Sequence, residues 1–189
     1  MSSNSTARAH DIKNSLALSF DLEGASFWQE VYSSLFPDMA AFIRHSDDGD
    51  HQRLGIDTSV IMSNSKVFTV DEKLRYADFG DIALEEWGDY GHRLPGWAVK
   101  SLLCDFILYA VLPAGKAFLL PTIQTQNAWR THGEEWKQEY KDKIIIAPNR
   151  DGRGREWQSV SWGIPVSVLY KAIGGQLRMN FQPVEDYQS

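Results

Sequence analysis

Cysteine and long apolar runs are scarce in this sequence. Cys104 is the single cysteine among 189 residues, so the chain cannot form an internal disulfide, which favours a reducing cytoplasmic compartment. It lies within an apolar run at residues 101–108, which predicts a buried, inert thiol. Residues 1–11 lack the apolar centre that a secretory signal has. No apolar run approaches the length of about 20 residues that spans a bilayer. We therefore expect a soluble cytoplasmic protein without a membrane partner.

Several motifs of catalysis and metal binding also have no counterpart in the chain. The five histidines show neither the H-x-x-x-H nor the Cys-His spacing of a zinc site. The sequence contains no glycine-rich phosphate loop of the Walker type and no G-x-S-x-G elbow. Zinc-enzyme, nucleotide-hydrolase and serine-hydrolase functions therefore have little support.

Positive charge is in deficit, with 19 Lys and Arg against 25 Asp and Glu and a net charge of −6. This balance counts against a protein that coats nucleic acid, because affinity for phosphate comes largely from Lys and Arg. It does not exclude an enzyme, since a metal site requires carboxylates and a basic groove can coexist with an acidic remainder.

The composition that is present indicates a folded protein, with 43% hydrophobic and 12% aromatic residues. The length fits one domain that can bury a sizeable core. We predict a disordered or frayed tail over residues 1–12, a single domain over 13–180, and a loose C-terminal tail over 181–189.

Helical and strand patterns alternate along this domain. Apolar spacing predicts a helix from residue 26 to 45, which Pro37 breaks or kinks and residues 39–43 resume. The acidic stretch at residues 47–50 is predicted to be a solvated turn, because the spacing of a calcium loop is missing. Further strands are predicted at 82–87, 105–112, 117–120, 144–147 and 157–162, and further helices at 122–141 and 165–173. The pattern predicts an α/β or α+β fold, with a central mixed β-sheet flanked by helices.

Residues 53–75 predict a β-hairpin around which the remainder is organised. The first run, residues 53–62, is rich in Ile, Val and Thr, and residues 63–66 have the composition of a turn. The second run, residues 67–75, carries charged side chains at alternate positions. The two runs should be adjacent antiparallel strands of the central sheet.

Charged side chains of this hairpin are predicted to converge on one face. Asp71, Lys73 and Arg75 alternate along the second strand and so project to the same side. Asp57 lies midway along the predicted first strand, from which a second carboxylate can reach the same place. Two carboxylates beside a lysine are typical of a divalent-metal site that cuts phosphodiesters.

Asp57, followed after a hairpin by Asp71-Glu72-Lys73, resembles the signature of the PD-(D/E)XK nuclease superfamily. That group holds restriction endonucleases and related repair and phage nucleases. Ile56 stands where the signature has Pro. Many members of the superfamily also lack this Pro. The resemblance covers residues 26–120 and implies a restriction-endonuclease-like core, in which a central sheet of four or more strands lies between helices.

The resemblance also implies roles for the acidic residues and the lysine. Asp57 and Asp71 would hold Mg²⁺, with Mn²⁺ as a substitute, and Lys73 would position or activate the attacking water. Glu30 on the first helix and Glu85 on the third strand are further candidate metal ligands. The competing interpretations are a surface strand with alternating charges and, for Glu30, an exposed helix carboxylate.

Substrate contacts are assigned to residues near this face. Arg75 extends the charged face and is a candidate for holding a phosphate. Arg93, Trp97 and Lys100 are candidates to line a groove, because aromatic rings stack on bases and cations pair with phosphates. The glycine-spaced basic loop at residues 149–155 suits contact with a nucleic-acid backbone, but a solvated loop is the favoured interpretation.

The sequence therefore predicts a Mg²⁺-dependent nuclease that hydrolyses phosphodiester bonds of DNA, with RNA a less favoured substrate. The alternative is a catalytically silent protein of the same fold that binds a protein or nucleic-acid partner. A hydrolase of small molecules that uses the same carboxylates is a third class. A homodimer or a protein partner is left open.

Overall fold

The structure, a computed structural model, describes residues 26–45, 51, 54–175, 177–181 and 183. The predicted N-terminal tail and the acidic stretch at residues 47–50 lie outside these ranges. Within them, the helices are α1 (Ser26–Leu35), α2 (Thr122–Glu139) and α3 (Val166–Ile173), with 3₁₀ turns at Leu112–Ala114 and Lys141–Lys143. None of these helices is long and apolar enough to cross a bilayer.

Ten strands occur in the described part of the chain, and they form two sheets. The strands are β1 (Met39–Arg44), β2 (Thr58–Met62), β3 (Val67–Arg75), β4 (Asp81–Asp89), β5 (Leu94–Pro95), β6 (Phe106–Val111), β7 (Lys116–Pro121), β8 (Ile144–Arg150), β9 (Glu156–Pro165) and β10 (Leu177–Asn180). The large sheet has the order β1-β2-β3-β6-β7-β10, and the small sheet has the order β5-β4-β9-β8. Only the β3–β6 pair is parallel among the described pairs, so the large sheet is mixed.

The mixed α and β class with a mixed β-sheet is therefore confirmed, and the second, smaller sheet was not predicted. The strand predicted at residues 82–87 is β4, and it pairs with β9 in the small sheet instead of joining the large one. The parallel β3–β6 pair needs a long crossover. The chain between these strands uses that length to build β4 and β5.

The large sheet is the middle layer of the molecule. On one face it packs against α1, with a core of Phe27, Val31, Tyr32, Val60, Val70, Leu108 and Leu119. On the other face it packs against the small sheet, α2 and α3, with a core of Ile82, Leu84, Ile107, Tyr109, Trp129, Ile164 and Leu169. Both faces of β3 are therefore covered.

Side chains of β3 alternate between these two layers, as predicted. Val70 and Leu74 pack on the α1 side. Asp71 and Lys73 lie on the opposite side, in register with Ile107 and Tyr109 of β6 respectively. The charged face was expected to be the less buried one, yet only 4% of Asp71 is exposed. The charged positions of β3 therefore point into the molecule.

The first predicted helix is too long. Pro37 follows the end of α1 at Leu35, and Met39–Arg44 forms strand β1 where the sequence predicted a resumed helix. Proline cannot continue a helical hydrogen-bond ladder, and β1 instead satisfies its backbone groups by pairing antiparallel with β2.

The first strand of the predicted hairpin is shorter than expected. β2 begins at Thr58, and the preceding chain turns at Gly55, whose φ of +70° favours glycine. A Cβ at this position would also collide with the side chain of Leu102. Asp57 thus precedes β2 directly, and its N–H donates to the Val70 carbonyl at 2.9 Å. The antiparallel pairing of β2 with β3 is confirmed.

The remaining predicted elements are confirmed with small shifts of their ends. β6 and β7 form the expected hairpin, and α2 and α3 lie where helices were predicted. Gly174 ends α3 in the left-handed conformation, with φ of 79°. Phe181, which we assigned to a loose tail, is instead buried against Phe27 with ring centroids 5.0 Å apart.

Glu72 carries a buried carboxylate on the α1 side of β3. Its side chain is only 7% exposed. Its Oε1 accepts hydrogen bonds from the Tyr32 hydroxyl and the Thr58 hydroxyl, both at 2.7 Å, and its Oε2 accepts one from Arg44 at 2.8 Å. Burial raises the pKa of Glu72, while the Arg44 charge and the two hydroxyl donors oppose that rise.

We expect Arg44→Met to destabilise the fold, because it leaves the buried Glu72 carboxylate without its cation. The loss should be about 3 kcal/mol at pH 8, and it should shrink toward pH 4 as the carboxyl takes up a proton. Urea unfolding at both pH values measures it. Arg130→Met, on the exposed side of α2, is the matched control and should change stability by less than about 0.5 kcal/mol. An equal loss at both pH values would contradict the role of the charge pair.

Candidate functional site

The β2–β3 pairing brings two aspartates together. Thr58 pairs with Val70, and the Asp57 N–H also donates to the Val70 carbonyl, so Asp57 is held at the end of this pairing. The backbone N–H of Glu72 donates to Asp57 Oδ2 at 2.7 Å, which fixes the Asp57 carboxylate against β3. From this position the Asp57 charge contributes to the raised pKa of Asp71, so the two carboxylates lie near each other, as predicted.

Asp71 has one paired and one unpaired oxygen. Lys73 Nζ donates to its Oδ1 at 2.7 Å. Its Oδ2 is buried and accepts no hydrogen bond from any group in the described part of the chain. A buried acceptor without a donor costs about 1–3 kcal/mol, so such an atom in a folded protein calls for a specific cause, for example a bound ion or water.

Burial and nearby charges shift the pKa values of both Asp71 and Lys73. Burial raises the pKa of Asp71 to about 6, with the Asp57 charge adding to the rise and the Lys73 ammonium opposing it. Burial alone lowers the pKa of Lys73, but the Asp71 and Asp57 charges outweigh it and raise that pKa. Lys73 is therefore an ammonium at neutral pH, beside carboxylates that repel each other.

The small sheet supplies a third carboxylate. Glu85 lies on β4, and the backbone N–H of Trp97 donates to its Oε2 at 3.3 Å. Burial raises the pKa of Glu85, while the charges of Lys73 and Lys100 and the Trp97 N–H oppose that rise. Glu85 also contributes to the raised pKa of Lys73. The charges of Asp57, Asp71 and Glu85 thus all act on Lys73, and the charge of Lys100 acts on Glu85.

Two of the residues that were predicted to contact the substrate have structural roles instead. The Arg75 guanidinium is held by Asp81 at 2.6 Å and by the Tyr109 hydroxyl at 3.0 Å. Lys143 also pairs with Asp81, at 3.2 Å, so a buried carboxylate between two cations joins β3 to the small sheet. Sequence reasoning missed Asp81, since no spacing rule pairs it with a lysine 62 residues later. The Trp97 ring is buried in the core and only 4% exposed.

Two other predicted residues lie apart from the carboxylates. Glu30 is exposed on α1, which covers the opposite face of the large sheet. Arg93 is exposed in the turn between β4 and β5, with φ of 52°. The structure brings neither side chain to Asp71.

The oxygen donors of the site suit a Mg²⁺ ion for which the protein supplies only part of the coordination shell. Within the described ranges no group of three or more His, Cys, Asp and Glu side chains is arranged around a common ion position. Mg²⁺ prefers oxygen ligands and retains several waters, so one or two carboxylates and a substrate phosphate can complete its shell. Asp57 and the unpaired Asp71 Oδ2 fit that requirement.

Cys104 is buried, as predicted, and plays no evident part in this chemistry. Its Sγ lies 3.3 Å from the Thr122 hydroxyl. Burial raises the pKa of the thiol to about 11. Because the thiolate is the reactive form, Cys104 is inert at neutral pH.

The chain matches no protein-family model, no curated protein and no solved structure. The interpretation of this site therefore rests on the geometry and electrostatics of its own residues.

We expect Asp71→Asn to stabilise the fold at pH 8 in the presence of EDTA. The wild-type carboxyl has a pKa of about 6 in the folded state, above its value in an unfolded chain, so ionisation removes stability as pH rises between these values. The amide avoids that loss and should add up to about 3 kcal/mol at pH 8, and nothing below about pH 4.

Urea unfolding at pH 4 and pH 8 measures this gain. Asp78→Asn is the matched control, because the hydrogen bond from Lys116 lowers the pKa of Asp78 and its neutralisation should bring no gain. No gain for Asp71→Asn at pH 8 would mean that ionisation of Asp71 does not destabilise the fold.

Proposed function

We propose that the protein is a Mg²⁺-dependent nuclease of the PD-(D/E)XK type, which hydrolyses phosphodiester bonds of DNA, with RNA less favoured. The observation that carries this proposal is Asp71, which has Oδ1 bound to Lys73 and Oδ2 buried without a donor. An arrangement of Asp57 and Asp71 across a hairpin, with Lys73 two residues on, supports the same assignment.

Asp57 and Asp71 would hold Mg²⁺, and Mn²⁺ would substitute for it. When bound, such an ion polarises a phosphate and lowers the pKa of a coordinated water. Asp57 is pre-oriented for this role, because the Glu72 N–H fixes its Oδ2 before any ligand arrives. Asp71 lies within β3, and a ligand on a strand is held more rigidly than one on a loop.

Lys73 would stabilise the charge that develops on the phosphate. Its ammonium is charged at neutral pH and its side chain remains 31% exposed, so it is accessible to a substrate. It bonds Asp71 directly, which would keep it within reach of a phosphate bound to an ion at that carboxylate. A fixed cation beside a buried site stabilises a transition state more than it would in water.

Glu85 would orient the attacking water or extend the ligand set. Its raised pKa makes it a better proton acceptor than an ordinary carboxylate, and its Oε2 is anchored by the Trp97 N–H. Lys100 carries charge next to Glu85 and is the predicted groove residue with the best support for a substrate contact.

A catalytically silent binding protein is the second candidate. The observation that favours it is the lack of a three-ligand group within the described ranges. In that case Lys73 would serve as a permanent counter-ion of Asp71.

We expect divalent ions to stabilise the wild type and not Asp71→Asn. Mn²⁺ at about 100 times its dissociation constant should raise the free energy of unfolding by about 2.7 kcal/mol. Because an amide does not supply the charge that a hard cation needs, the mutant should show no such rise. Calorimetric titration with MgCl₂ and MnCl₂ gives an independent measurement. Equal binding by both proteins would locate the metal elsewhere.

We expect Lys73→Ala to cut DNA at least about 100-fold more slowly than the wild type while it still binds DNA. Loss of one electrostatic group lowers turnover by that order, and its effect on ground-state affinity is smaller. Cleavage of single-stranded, double-stranded and branched DNA with Mg²⁺ or Mn²⁺, and with EDTA as a blank, measures the rate. Fluorescence anisotropy in EDTA measures binding.

Lys66→Ala, an exposed cation in the β2–β3 turn, is the control and should cut normally. A wild type that binds DNA and cuts no nucleic acid with either ion would favour the silent binding protein. In that protein Lys73→Ala would lose affinity and show a shallower salt dependence.

A further inference from the structure

Two turns of the small sheet lie side by side at one end of that sheet. One connects β4 to β5 through residues 90–93, and the other connects β8 to β9 through residues 151–155. β4 and β9 are antiparallel neighbours, so the end of β4 meets the start of β9. The Tyr90 N–H donates to the Gln158 carbonyl at 2.8 Å and ties the two turns together.

These turns concentrate positive charge on a protein whose net charge is −6. Four exposed arginines lie on or beside them: Arg93, Arg150, Arg153 and Arg155. Asp151 lies 3.7 Å from Arg155, and Glu156 lies 3.5 Å from Arg150. Exposed pairs of this kind are worth little, so a phosphate can displace them readily.

Aromatic rings accompany the arginines. Tyr90 is 56% exposed and its ring meets Trp87 edge-on, with centroids 6.5 Å apart. The Arg155 guanidinium lies over the Trp157 ring, 5.1 Å from its centroid. Arginines interleaved with aromatic rings are typical of surfaces that bind nucleic acid, because bases and sugars pack on the rings while the cations pair with phosphates.

The turns are joined to the candidate site by continuous strands. Glu85 and Tyr90 are five residues apart along β4 and its end, which corresponds to about 15 Å of extended chain. The return strand β5 leads through Gly96 to Trp97, whose N–H holds Glu85. About 15 Å equals the length of four to five base pairs of duplex.

We propose that the turns at residues 90–93 and 151–155 form a basic arm that grips the phosphate backbone of nucleic acid, about 15 Å along β4 from Glu85. The location relative to a cut rests on the proposed function, whereas the binding itself does not. The acidic remainder of the surface repels phosphate, so the basic arm supplies the attraction that brings the backbone to the small sheet.

The test is a salt titration of DNA binding in EDTA. The parent is Asp71→Asn, which cannot cut, and the arm variant adds Arg93→Ala, Arg150→Ala and Arg153→Ala. A control variant adds Lys66→Ala, Lys171→Ala and Arg178→Ala, three exposed cations away from the arm, and so has the same net charge. A fluorescent duplex of about 20 base pairs and a single strand of equal length are the probes.

We expect the arm variant to bind at least about tenfold more weakly than the parent at moderate salt. Its slope of log affinity against log salt should fall by about 2–3, since each phosphate contact contributes about 0.9 on duplex and about 0.7 on a single strand. The control variant should keep the parent slope. Equal losses in both variants would show an effect of net charge alone and would overturn the basic arm.

Further outcomes distinguish a loss of DNA binding from a loss of folding, and DNA binding by the arm from DNA cleavage. If the alanine variant melts early, the corresponding Arg→Lys variant keeps the charge and should bind, so a folded lysine variant without affinity would overturn the proposal. A parent that binds neither probe would overturn it too, as would displacement of DNA by polyglutamate at equal charge concentration. A wild type that binds through the arm and never cuts would support the arm and refute the nuclease.

Discussion

Burial of charge on both faces of β3 is the constraint on which the rest of the structure depends. β3 lies in the middle layer, so Glu72 on one face and Asp71 on the other are both removed from water. A buried carboxylate costs several kcal/mol unless donors or cations compensate it. Glu72 has Arg44 and two hydroxyl donors, whereas Asp71 has Lys73 alone and one oxygen without a donor. The satisfied face supports the fold, and the unsatisfied face is the one suited to a ligand.

Glu72 couples these two faces. Its carboxylate accepts a hydrogen bond from the Tyr32 hydroxyl of α1, and its backbone N–H, in the plane of the sheet, donates to Asp57 Oδ2. Packing of α1 on β3 therefore fixes the residue that orients the Asp57 carboxylate. The helix contributes to the site through this link, although Glu30, the helix residue predicted from the sequence, lies on its exposed side.

The sequence pattern predicts the parts of this arrangement that depend on residues close together in the chain. The alternation along β3 and the turn at residues 63–66 suffice to predict the hairpin and the shared face of Asp71 and Lys73. Pairing between distant segments has no comparable signal: β4 pairs with β9 about 80 residues later, and this pairing creates the second sheet. Residues 39–43 have an apolar pattern that suits a helix or an edge strand, and the free edge of β2 decides between them. The sequence also does not show that the Trp97 ring turns inward, because the same loop could expose it.

The charge balance of the site bears on the order in which ligands would bind. The charges of three carboxylates act on the Lys73 ammonium, and burial raises the pKa of both Asp71 and Glu85 more than the nearby cations lower it. A phosphate that approaches this cluster alone meets net repulsion, since Lys73 is already engaged by Asp71. A divalent cation held there would reverse the sign of the field and supply a partner for the unpaired Asp71 oxygen. Under the proposed function, cation and phosphate therefore bind with positive coupling, and by linkage each strengthens the other by the same factor. The acidic character of the chain, which opposes a general affinity for nucleic acid, thus suits a site whose affinity for phosphate depends on a metal.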